Sequence, residues 1–303
     1  MHKTSFILLF FTFSLFAQEK KHVFQSKYLK AEYNTLDGLM NGKYVSYYPT
    51  GKKKAEGIYK NNLRVGKWNV WDSTGKIHAE HAFKVEKSER NTKGFFEYTY
   101  LKEEEVMMSK RVWREIKRSD NPMLFSDPAF FDVLYDLVQQ DSLIVYQDEE
   151  FKRPRTKEDV QNMVGSNYYI IDSYKVIDDW FLDKKTNAAD TRPLALYITL
   201  APRSAGSGEK VELGWIYFPQ LRKTLTAQKV SDKRYSQVKN MDDVFWYRAL
   251  VAQIYKELNV RDEPFSAYAK TSEAQAKEAE RAEIDMIEME HDVWLFGDKA
   301  FDH

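Results

Sequence analysis

The 303-residue chain contains no cysteine, only six histidines, and no excess charge of either sign, with 46 basic and 46 acidic side chains. The first absence removes disulfides, a thiolate nucleophile, thiolate metal sites and a lipid-modified cysteine at a mature N-terminus. Charge balance removes the whole-chain field that would recruit nucleic acid. Of the histidines, His2, His22 and His303 lie near the ends, leaving His78, His81 and His291 inside the body of the chain. No Gly-x-Ser-x-Gly, HExxH or phosphate-binding glycine motif occurs, so hydrolytic, zinc and nucleotide chemistry lack their usual parts. No catalytic, metal or cofactor site is therefore expected. The Ala205-Gly206-Ser207-Gly208 stretch lacks the Lys-Ser/Thr ending of a phosphate cradle and reads as a flexible hairpin loop. Asp178–Asp179 and Asp242–Asp243 are adjacent carboxylates, but strand neighbours diverge and the second pair suits a helix start.

Aromatic side chains are plentiful, at 15% of residues, with 19 each of Tyr and Phe. Such rings suit sheet faces and interfaces. The one long apolar run is N-terminal. Lys3, the Phe6 to Phe16 stretch and Ala17 before Gln18 read as an export leader over residues 1–17, too short for a membrane span.

A 24-residue repeat follows. Gly42, Lys43, Tyr44, Tyr47, Thr50, Gly51, Lys52, Glu56 and Tyr59 recur as Gly66, Lys67, Trp68, Trp71, Thr74, Gly75, Lys76, Glu80 and Phe83. Each unit reads as a hairpin with glycine at a positive-φ corner, and stacked hairpins give a single-layer meander over residues 18–90. Two units are few for a free-standing stack, so a third strand pair is expected from residues 23–33 or 95–101. His78 and His81, three apart on a strand, point to opposite faces and do not converge on a metal. The pattern resembles the MORN-variant repeat.

Residues 91–109 are charged and aperiodic and read as a linker. The next 156 residues, 110–265, alternate strand and helix signals. Strands are predicted near 112–116, 144–146, 168–183, 194–200 and 211–218. Helices are predicted from Ser126 or Asp127 and from Thr156, whose Asp159 completes a capping box. Residues 240–262 predict a long helix, capped by Asn240 with Asp242 and Asp243 in its first turn, packed across an antiparallel sheet. The fold class is α+β. Residues 266–303, rich in Ala, Glu, Lys and Arg, predict a solvated, loosely attached helical tail with little to bury.

Val112-Trp113-Arg114, Asp179-Trp180-Phe181-Leu182-Asp183, Trp215 to Arg222, and Met241 to Arg248 with Ile254-Tyr255-Lys256-Glu257 and Asn259-Val260 occur in an order and spacing that resemble the GldN (PorN) family. The resemblance spans residues 112–262, and the repeat region stands outside the family's usual layout. It implies a periplasmic, non-enzymatic component of the type IX secretion and gliding apparatus. The implied partners are a GldK-like outer-membrane lipoprotein and further copies of the chain in a ring. Aromatic and arginine side chains are the natural carriers of such an interface. Trp180, Trp215 and Phe245 read as core, and Arg114, Arg222, Trp246, Tyr247 and Arg248 as interface, with Arg222 and Arg248 the exposed contacts. The alternative is an exported binding protein in which the repeats recognise a protein or glycan.

Overall fold

The computed structural model describes residues 19–83, 89–165, 168–204, 208–230 and 235–297. The leader at 1–17 and the loop glycine at 206 lie outside them. Six strands, β1 (Glu19–Gln25), β2 (Lys30–Leu36), β3 (Leu39–Tyr47), β4 (Lys53–Lys60), β5 (Leu63–Trp71) and β6 (Ile77–Phe83), pair in chain order as an antiparallel meander. The third strand pair is β1–β2, from the earlier of the two expected segments. Corners fall where the repeat puts them: Gly51 and Gly75 take φ of 82° and 92°. Asp37-Gly38 and Asn61-Asn62, also 24 apart, turn between hairpins with positive φ at both residues. One face of the meander carries the rings: Tyr33, Tyr44, Tyr59 and Trp68 are buried and in ring-to-ring contact across it, Tyr59 edge-on to both Tyr44 and Trp68.

The second unit is a five-stranded antiparallel sheet ordered β10-β9-β8-β7-β11. Its strands are β7 (Val106–Lys117), β8 (Tyr169–Asp183), β9 (Ala188–Pro202), β10 (Val211–Tyr217) and β11 (Gln253–Glu257). Helices α1 (Phe130–Gln139), α2 (Lys157–Val164), α3 (Phe218–Ala227) and α4 (Met241–Trp246) contribute to its main core. The α2 box is present as expected: Thr156 Oγ1 accepts from the Asp159 amide at 3.0 Å and Asp159 from the Thr156 amide at 2.9 Å. Residues 144–146 make only isolated bridges through Tyr146, to Pro154 and Trp215, and no strand. Pro219 does more than stop a strand; it occupies the first turn of α3, where a missing N–H costs nothing.

Two larger expectations about the fold also fail. The long helix at 240–262 ends at Trp246. Arg248 adopts φ 52°, the Ala249 amide donates to Val244 O (2.9 Å) and the Arg248 amide to Phe245 O (3.2 Å). This is a Schellman closure with arginine where glycine is usual. The rest of the stretch turns back, and Gln253–Glu257 fills the open edge of β7. Tertiary pairing outweighs helix propensity there, helped by β-branched Val251 and Ile254.

The C-terminal segment is helical but not loosely attached. Helix α5 (Ser272–Phe296) lies between the two sheets. Ile284, Trp294 and Leu295 pack on the meander rings, while Ala279, Ala282, Met286 and Val293 pack on Val112, Trp180, Leu182, Ile254 and Phe265 of the second unit. Each sheet thus buries one face against a shared helix.

Candidate functional site

The residues expected at an interface fall into two groups. Arg222, on α3 one turn after Phe218, is 5% exposed and forms a two-pronged pair with Asp242 at 2.8 Å through both Nε and Nη2. Its guanidinium lies over Phe95 (4.2 Å) and Tyr98 (4.9 Å). Trp246 and Tyr247 close the same cluster against Phe96, at ring distances of 5.2 and 5.7 Å. Next to it, Asp243 caps α4 through the Lys239 and Asn240 amides and binds Arg90 at 2.7 Å. Burial raises the Asp242 carboxyl even against the pull of Arg222. The Asp242–Asp243 pair therefore does more than start a helix, since each aspartate holds an arginine from another segment.

The second group centres on Asp178, fully buried on β8. It accepts from Arg114 Nε at 3.0 Å and pairs with Arg248 Nη2 at 2.9 Å, and Arg114 continues to Glu283 on α5. Burial and then the neighbouring Arg248 lower Arg114 to about 10, which leaves it charged at neutral pH. Asp179 points the other way and binds Arg111, as strand alternation requires. Arg222 is therefore not an exposed contact. Arg114 is equally buried, and Arg248 is bound to Asp178 from the rim. Trp180, Trp215 and Phe245 are core, at 5%, 8% and 1% exposure.

A cleft of about 340 Å³ opens where the meander, the second sheet and α5 meet, with Arg64, Arg114, Arg248, Tyr59 and Glu283 in its walls. Beside it runs the polar seam that the sequence did not disclose. Lys54 of β4 reaches Glu288 at 3.0 Å and Asp292 at 2.6 Å, and the Tyr44 hydroxyl donates to Glu288 at 2.8 Å. Arg64 pairs with Glu290, whose other oxygen takes the Ala189 amide at 2.8 Å. His291 Nδ1 lies 3.0 Å from Glu288. Burial acts to raise Glu288, but His291 and Lys54 together hold it well below the ordinary carboxylate range. The Trp294 indole donates to Asn187 O at 2.6 Å, so one side chain spans from the meander rings to the β8–β9 turn. The available signal was the i, i+4 pair Glu288 and Asp292, which share Lys54; the other acids fan round the helix to separate partners.

Chemically, these groups spend their charge on one another. Among the described residues no group of three or more metal-binding side chains converges. No helix among them is long and apolar enough to cross a membrane.

The buried charges and rings join two antiparallel sheets through one shared helix, which defines an α+β protein of two sheets. The family model described as "Gliding motility associated protein GldN" matches residues 101–295, so the chain belongs to the GldN family. It is thereby a component of the gliding motility and type IX secretion type. No curated protein matches. The matched span begins just before β7 and runs through the last turn of α5, so the clasping helix falls inside the family region and the meander outside it.

Proposed function

We propose that the chain is a non-enzymatic structural subunit of the type IX secretion and gliding apparatus. It acts in the periplasm after removal of the 1–17 leader and assembles with a GldK-like outer-membrane lipoprotein and with further copies of itself. Its cofactor requirement is none. The observation that carries this reading is family membership over a span whose charged groups are committed to holding the body rigid. A rigid body with fixed surfaces suits assembly. Tagged protein recovered from membranes is expected to bring down the lipoprotein and to elute as a very large assembly. A small monomer without that partner, or turnover of a small molecule, refutes the reading.

One observation favours the second reading, recognition through the meander. Residues 19–83 carry eleven Lys and one Arg against six Asp and Glu, so the balanced chain is basic at this end. Lys21, Lys43 and Lys67 stand on the outer face, each only partly neutralised by Glu32, Glu56 and Glu80. Reversing Lys43 and Lys67 to Glu separates the readings. Lipoprotein capture persists if the second unit carries assembly and fails if the meander does.

A further inference from the structure

We propose that the joint between the meander and α5 is a pH-responsive latch, opened by protonation of His22, His81 and His291. All three lie on this joint, whereas His78 stands exposed on β6. They come from three different elements.

His291 is fully buried on α5. Its neutral form donates Nδ1–H to Glu288, 3.0 Å away. A second proton would go to Nε2, which is buried and has no partner among the described residues. The new charge would sit among Trp294, Trp68 and Tyr44, at ring distances of 5.0, 5.5 and 5.8 Å. The cations Lys54 and Arg64 already face it from β4 and β5, and Glu288, its one nearby counter-charge, is shared with Lys54. Asp292 and Glu290 are likewise taken, by Lys54 and Arg64.

His81 stacks on the same Trp294 ring at 4.3 Å. An aromatic ring favours a cation over its face. An indole in contact with two imidazolium ions must nevertheless hold like charges together, and His291 is the charged group that opposes His81. His22 stacks on Tyr33 at 4.7 Å and lies 3.0 Å from the Thr35 hydroxyl. Tyr33 in turn donates to Glu280 of α5 at 2.7 Å. Lys20 opposes a charge on His22 and Glu280 favours it.

Burial lowers all three imidazoles below their ordinary value of 6.5. The latch is therefore fully closed above that pH and loosens as pH falls from 6.5 through the folded-state values. Between 6.5 and those values, each histidine that charges on opening raises the opening constant by up to about ten-fold per pH unit, and below them the effect levels off.

The test is hydrogen exchange on the mature chain between pH 7.5 and 5.0, corrected for intrinsic rates. Peptides from β3 to β5 and from α5 are expected to lose protection at least ten-fold more than those from β7 and β8. His22→Gln with His81→Gln, which leaves the buried ring in place, is expected to weaken that pH dependence, and adding His291→Gln to abolish it. Equal loss in both sheets, or the same pH profile in wild type and the double variant, overturns the latch. Either outcome leaves the secretion role standing.

Discussion

Replacing Trp294 by alanine probes the clasp where it is most concentrated. The side chain is 6% exposed and touches Trp68, Phe83, His81 and His291, with ring distances from 4.3 to 6.3 Å. Truncating a buried tryptophan costs about 3–5 kcal/mol through lost transfer energy and the cavity left behind. The Asn187 carbonyl also loses its donor, adding about 1 kcal/mol. Together these amount to roughly 5 kcal/mol, a large fraction of the stability of an ordinary domain. At about 2 °C per kcal/mol for a chain of this size, Tm falls by about 10 °C. Trp294→Phe keeps most ring contacts and loses the hydrogen bond, so about 1–2 kcal/mol is expected. Urea unfolding followed by far-ultraviolet circular dichroism at pH 7.5 measures both. A loss under about 1 kcal/mol for the alanine variant would mean that the last turns of α5 are not docked, and the reasoning fails.

Other substitutions test separate parts of the structure. Arg222→Ala strands Asp242, which is 1% exposed, and is expected to cost about 3–5 kcal/mol by chemical denaturation; Arg222→Met with Asp242→Leu should recover most of it. Gly57→Ala has no positive φ to strain, but its new methyl would sit 2.0 Å from Cδ2 of the fully buried Trp68. It should lower Tm by an amount equivalent to about 3 kcal/mol, and an unchanged Tm would show that the indole can move. Glu288→Gln removes the carboxylate partner of His291 and one of the two held by Lys54, with an expected loss of about 3 kcal/mol at pH 7. Because the folded carboxyl sits below its ordinary value, that stability is present above about pH 4.5 and fades as pH falls. The gap between wild type and variant should therefore narrow in acid, and a constant gap would show that the charge is irrelevant.

The meander was legible because a repeat displays its own period, and its corners need residues that accept positive φ, such as Gly51 and Gly75. Local caps were equally legible, since Thr156 with Asp159 and Asn240 with Asp243 are three residues apart. What failed depended on distance along the chain. Arg222 reads as a free surface cation until Asp242, twenty residues on, folds against it. The stretch after Trp246 is compatible with a helix until the vacant edge of β7 claims it. Helix α5 carries two apolar stripes, one for each sheet, with charges between them, so no single amphipathic face emerges. Its buried acids read as solvated because Lys54 and Arg64 come from the other end of the chain.

If α5 is the wall that both sheets require, neither sheet can melt alone at neutral pH. Scanning calorimetry of the mature chain at pH 7.5 measures this most directly. The account predicts one transition whose calorimetric and van't Hoff enthalpies agree. Two resolved transitions, one lost when the meander is removed, would contradict it.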